Sequence, residues 1–459
     1  MSSSFESGST TAIVGATIVD GNGGKPLPDG VVLVQGKRIV ALGDRTTDIP
    51  KNAKVIQAAG KYVIPGLMDA NVHLVLDHWP LTLVRYEGRY DELAIEAAQL
   101  TLKSGVTTVF DTWGPRFYVA KARNEINSGK SVGSRIYLGG NIVGLGGPCS
   151  ADFLAQAREL LFDQFTDHIN ALWQEDVGPE LVYLSPSQVA ERIREHAQKD
   201  IDFVKYAVTG HTPDHGEQYI LFSPRVQAAI VNEVHKAGKT VQTHTTTCEG
   251  LYLAVEAGVD LMQHASTTPG SQGIPEETVS LIAERRVPSA LLANTNTALA
   301  WYREQARTVR FFKRYEITDI NDRALIRAGA VILLSTDGGV FSSDVINSAL
   351  WKRYIPPEEG LLCLGEGHFN WLLAVEQKGM KPMDALMAAT RNIACAYQVD
   401  ADLGTIEKGK IADLLILDKD PLQSAANYRS ISLVMKEGSI VDRDALPTRK
   451  LLTRKALSQ

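Results

Sequence analysis

Eight times along the middle of the chain, a short apolar run is followed by a stretch whose apolar residues recur at helical spacing. This alternation restricts the fold to a parallel sheet wound with helices. The runs lie at 63–73, 107–111, 135–138, 203–206, 240–244, 261–264, 287–292 and 331–335. Eight is the number of units that closes a (β/α)8 barrel. Helices are expected at 224–237, ended by Gly238, and at 382–397. The two ends of the chain differ from this middle. From 11 to 61, short strands alternate with glycine turns such as Asp20-Gly21-Asn22-Gly23-Gly24, and the same texture returns at 412–418, 431–435 and 439–441. With 459 residues the chain exceeds one core of ~250 to 300 residues, so a second unit is expected. Residues 1–64 and 399–459 are read as a composite β-sandwich, and residues 65–398 as the barrel.

His73, Lys205, His244, His264 and Asp337 each fall at or just after the C-terminal end of an expected barrel strand. Those ends converge on one pocket. A lone strand-end histidine is usually structural, but five such residues from distant parts of the sequence point to a site. Imidazoles with a carboxylate suit a borderline divalent cation. Lys205 cannot ligate as an ammonium. Buried in Phe203-Val204-Lys205, however, its pKa is driven down, and a neutral amine can take up carbon dioxide to become an anionic carbamate.

The segment Pro65-Gly66-Leu67-Met68-Asp69-Ala70-Asn71-Val72-His73, followed by Phe203-Val204-Lys205, His244, His264 and Ser335-Thr336-Asp337, resembles the metal-dependent amidohydrolase superfamily. The closing segment Gly404-Thr405-Ile406-Glu407-Lys408-Gly409-Lys410-Ile411-Ala412-Asp413-Leu414 resembles it too. The resemblance runs from the first strands to about Asp442. It implies a barrel flanked by a composite sandwich, with metal held by a His-x-His pair, a carboxylated lysine, two histidines and an aspartate. Carried onto this chain, the metal set is Asn71, His73, Lys205, His244, His264 and Asp337. Asp337 handles the proton, with His264 and His244 as further catalytic candidates.

Asn71 stands where the superfamily has its first histidine. Residues i and i+2 of a strand share a face, so Asn71 reaches the same pocket, but an amide is a weak zinc ligand. One divalent cation per chain is therefore expected, zinc first, with cobalt, manganese or iron as alternatives. An Asn-x-His pair is also the variation of a subgroup that includes the phenylurea hydrolases and is related to molinate hydrolase. That resemblance implies cleavage of an aromatic urea to an aniline and a carbamic acid.

Aromatic residues crowd the segments after the strands: Trp79, Trp113, Trp301, Tyr302, Phe311, Phe312, Phe341, Trp351 and Tyr354. Such a rim favours a flat apolar substrate. Trp113, Tyr206, His211, Trp301 and Phe341 are the substrate-contact candidates. Arg116, His211 and His215 could instead receive the free carboxylate of an acylated or cyclic dipeptide, the competing substrate class. A third reading, a non-catalytic scaffold, sits poorly with five retained site residues.

Composition narrows the partners. With 53 acidic against 47 basic residues, a formal charge of −6 gives no basic field for nucleic acid. No apolar run approaches the ~20 residues of a membrane span. Four cysteines without a CxxC pair fit a reducing cytoplasm. Exposed sandwich strands suggest a homo-oligomer.

Overall fold

A computed structural model describes residues 10–76, 80–154, 157–211, 219–268, 272–342, 345–346, 352, 356 and 363–453. Trp79, His215, Trp351 and Tyr354 lie outside the described residues, as does the side chain of Phe311.

Both ends of the chain build one eight-stranded sheet. From the N-terminal side come β1 (Thr10–Ile18), β2 (Leu27–Gln35), β3 (Arg38–Gly43), β4 (Lys54–Gln57) and β5 (Tyr62–Pro65). The remaining three, numbered β15 to β17 in chain order, are Leu414–Leu417, Ile431–Lys436 and Ser439–Ile440. The order is β17-β16-β15-β5-β1-β2-β3, with β4 beside β1. The join between the two ends is antiparallel, from Tyr62 opposite Leu417 to Pro65 opposite Leu414. Alternating residues such as Ile13, Val32, Val34, Val63, Leu414 and Ile416 bury one face in a core of their own.

The barrel strands are β6 (Leu67–Val72), β7 (Val106–Asp111), β8 (Arg135–Leu138), β9 (Ile142–Val143), β10 (Phe203–Ala207), β11 (Thr240–His244), β12 (Leu261–Gln263), β13 (Ser289–Leu291) and β14 (Ile332–Leu334). Every residue in β6, β7, β10 and β11 is buried, as parallel strands covered by helices must be. Strands β6 to β8 form one parallel arc and β9 to β14 another. The arcs meet at a parallel bridge between Val72 and Gly338 and where Asp202 N donates to Leu138 O (2.8 Å).

The third barrel position is divided between two strands, of which the first, β8, is the one expected at 135–138. β8 pairs with β7, the chain kinks at Gly139-Gly140, and β9 resumes beside β10. A Cβ on Gly139 would stand 2.5 Å from the Phe203 ring, and Gly140 has φ +73°, so this glycine pair is a built kink. The expected helix at 382–397 is likewise two, Pro382–Ala388 and Arg391–Ala396. At the break, Ala389 O accepts from Met68 N (2.8 Å), anchoring the start of β6. The helix expected at 224–237 is Pro224–Lys236, started by the Ser223 cap and followed by Gly238 at φ +69°.

Tyr397, just after the second of these short helices, forms a floor inside the barrel. Its ring stacks on Phe110 (centroids 3.7 Å) and its hydroxyl donates to Ala70 O (2.7 Å). That hydroxyl in turn accepts from Gln242 Nε2 (3.0 Å) and Gln263 Nε2 (3.2 Å). Among the described residues no helix is long and apolar enough to cross a membrane.

Candidate active site

Period-two alternation points Asp69, Asn71 and His73 of β6 and its end into the barrel, and does the same for Lys205 on β10 and His244 on β11. Asp337 gathers them. Its Oδ1 accepts from Asn71 Nδ2 (2.8 Å) and His73 Nε2 (3.0 Å), and His264 Nε2 lies 3.5 Å away. The His244 and His264 rings meet edge to face at 4.7 Å, and His211 packs on His244 at 4.5 Å. A second chain of bonds runs across the pocket. Lys205 Nζ donates to Thr112 Oγ1 (3.1 Å), and that hydroxyl donates to Asn71 Oδ1. All these side chains are nearly fully buried except Asp337, which is 27% exposed and marks the solvent side.

Burial controls the charge states. It pushes the Lys205 amine down to about 8 and holds the imidazoles of His244 and His264 below their ordinary value, Asp337 partly opposing this at His264. His211 is driven down to about 3 by burial and by the nearby cation of Lys205. Asp337 is the exception among the acids. Burial alone would raise it, but the imidazoles of His264 and His73 hold it well below the carboxylate range. Asp69 and Asp111, with less compensation, are raised by burial to about 7 and about 6.

Among the described residues, no three His, Cys, Asp or Glu side chains are already set out as a cation's coordination sphere, because Asp337 bonds the imidazoles directly. The donor chemistry nevertheless fits a divalent ion. Both ring nitrogens of His244, and Nδ1 of His73 and of His264, are buried without a hydrogen-bond partner. An orphaned buried polar atom costs about 1 to 3 kcal/mol, and neutral imidazole is the ligand form. His73, His244, His264 and Asp337 are the residues that would hold the ion, with Lys205 and Asn71 beside them.

Of the substrate-contact candidates, Trp113 and His211 reach the site. Trp113 stands edge-on to His73 (6.1 Å) and packs on His211 (4.9 Å), its Nε1 fixed by Asn141 Oδ1 (2.8 Å). Tyr206 does not. It faces the opposite side of β10 from Lys205, and its hydroxyl bonds Gln227 on the covering helix (3.1 Å). Trp301 packs instead with Tyr302 and Phe312 in a separate small cluster. Phe341 lines an apolar cavity of about 160 Å³ with Leu100, Val340, Cys363 and Leu452. Arg116 is held by Glu175 (2.9 Å), which removes it as a ready carboxylate receptor. Beyond His244, Thr247 caps the following helix, its hydroxyl accepting from Gly250 N (2.9 Å).

Asp69, Thr112 and Phe153 were not singled out by sequence. Asp69 shares the period of Asn71 and His73, and Thr112 directly follows a strand, so both carried a usable signal. Phe153, packed on Trp113 (4.9 Å) and His211 (5.2 Å), lies in irregular chain and carried none.

A parallel barrel that gathers imidazoles, a lysine and an aspartate in one buried pocket at its strand ends, flanked by a sheet from both chain termini, is the arrangement of a hydrolase that activates water. Comparison with known proteins agrees. The chain belongs to the amidohydrolase family, whose model matches residues 62–441. That superfamily generally uses a divalent metal. The fold is closely similar to the solved structure of molinate hydrolase (37% identity, TM-score 0.92, 99% of each chain covered). It is also closely similar to phenylurea hydrolase B (36% identity, TM-score 0.91, covering 98% of this chain and 100% of the other). Ochratoxinase of Aspergillus niger is 24% identical over 460 residues, covering 95% of this chain and 88% of that protein.

Proposed function

We propose that this enzyme is a metal-dependent hydrolase of aromatic ureas, cleaving the carbonyl C–N bond to release an aniline and a carbamic acid that loses carbon dioxide. The observation that carries the reading is the Asn71-x-His73 pair joined through one oxygen of Asp337, in a chain similar over its whole length to a phenylurea hydrolase and to molinate hydrolase. The aromatic wall of Trp113, Phe153 and His211 supports it, since a flat aryl ring packs there at little cost. The engagement of Arg116 by Glu175 weighs against a dipeptide substrate.

A divalent ion bound here, zinc first, would supply Lewis-acid polarisation and bring the pKa of bound water from 15.7 toward ~7. Asp337, kept ionised by His264 and His73, accepts the proton of the attacking water and returns it to the leaving nitrogen. Expelling an anilide makes that return the demanding step. Whichever of His244 and His264 the ion leaves free would hydrogen-bond the carbonyl oxygen. Lys205, its amine made more easily neutral by burial, is the residue that would carry a carbamate.

The test combines metal analysis with hydrolysis of linuron and of an N-acyl dipeptide by the wild type and Asp337→Asn. We expect one metal per chain, aniline release, and a D337N variant that keeps the metal but loses about 100-fold or more in kcat. Absence of metal, or turnover of the dipeptide alone, would reject the reading.

A further inference from the structure

Asp337 sits at φ +52°, a left-handed conformation that costs a non-glycine residue roughly 1 to 3 kcal/mol unless its surroundings enforce it. The enforcing contacts come from β6. Asp69, 3% exposed, accepts at Oδ1 from the backbone N–H groups of Asn71 (3.2 Å) and Thr336 (3.1 Å). Its Oδ2 accepts the Thr336 hydroxyl (2.6 Å), which itself accepts from Gly338 N (3.1 Å). One buried carboxylate thus fastens the residues on both sides of Asp337. The far side is pinned again where His73 N donates to Gly338 O (2.8 Å).

We propose that Asp69 and Thr336 are positioning residues for the reaction. They hold the strained turn after β14 so that the Asp337 carboxylate points at His73 and His264. The inference rests on the reading of Asp337 as the proton carrier. Thr336 N and Gly338 N, on either side of Asp337, both bond into this brace. Asp69 also receives the N–H of Asn71, so the same carboxylate ties the strand bearing Asn71 and His73 to the turn bearing Asp337.

The experiment compares Thr336→Val, Thr336→Ala, Thr336→Ser and Asp337→Asn, each purified with metal, on whichever of linuron or an N-acyl dipeptide the wild type hydrolyses faster. Val keeps the shape of Thr but deletes the hydroxyl; Ser restores it. A misplacement of about 1 Å at a reacting group costs about 100-fold. T336V is therefore expected to lose about 100-fold in kcat with KM within about threefold of wild type and metal content unchanged, and T336S to recover most of the loss. A purely structural role would lower the yield or melting temperature of T336V while leaving kcat per metal-loaded chain intact, and that result overturns the proposal. Should T336V not fold, Thr336→Ala carries the same expectation, since it too deletes the hydroxyl that bridges Asp69 Oδ2 and Gly338 N but places no methyl against the carboxylate. Wild-type kcat in T336A overturns the proposal as well. If D337N itself retains turnover, the proton-carrier reading fails with it; if D337N is inactive while T336V is not, only the brace is wrong.

Discussion

His196, far from the strand-end cluster, makes the acid sensitivity of the fold calculable. It lies on the helix Pro186–Ala197, 2% exposed, and neither ring nitrogen has a partner. Burial, helped by the charge of Lys199, drives its pKa from 6.5 down to about 4. Between those values the unfolded chain binds a proton that the folded chain refuses. The stability linked to this ring is thus fully present above about pH 6.5 and is lost progressively as pH falls toward 4. At about 1.36 kcal/mol per unit, going from pH 7 to pH 5 costs about 2 kcal/mol through His196 alone. His196→Leu removes the titration while keeping an apolar filling. Urea unfolding of both proteins, followed by tryptophan fluorescence at pH 7 and pH 5, isolates the effect. The variant should gain about 2 kcal/mol relative to wild type on acidification. An unchanged difference at the two pH values would refute the assignment of a buried neutral ring.

Two further outcomes follow from buried polar groups. The Lys378 side chain, 1% exposed, bonds Asp319 and lies 3.5 Å from Asp322; Lys378→Met leaves Asp319 to Arg323 alone and buries Asp322 without a cation, so urea unfolding should show a loss of about 3 kcal/mol. Asn71→His replaces a weak amide donor by imidazole on the face shared with His73, and metal analysis should show more than one equivalent per chain; unchanged stoichiometry would discard the idea that Asn71 limits the metal count.

Periodicity made the barrel and its inward-facing residues legible, because the two-residue repeat of a parallel strand fixes which side chain enters the pocket. His73, His244, His264, Lys205 and Asp337 meet as their strand-end positions require. Tyr206 illustrates the same rule applied too loosely: next to Lys205 in sequence, it necessarily faces the other way. Trp301 and Phe341 followed strands, but helices and loops bury aromatics against their own neighbours, and no local pattern separates those from a rim. The division of the third strand depended on Phe203 occupying the space beside Gly139, a tertiary contact between residues more than 60 positions apart. The brace on Asp337 was illegible for a similar reason, since it joins the first barrel strand to the last.

The sheet shared by the two chain ends also sets a schedule for synthesis. β5 is paired with β1 as soon as the N-terminal strands exist, but its other neighbour, β15, lies about 350 residues later. At ~5 to 20 residues per second a ribosome needs roughly 20 to 70 s to supply it. For that interval Tyr62–Pro65 presents an open hydrogen-bonding edge, the kind that recruits other chains. Pairing with β15 is the closure that ends the hazard at this edge.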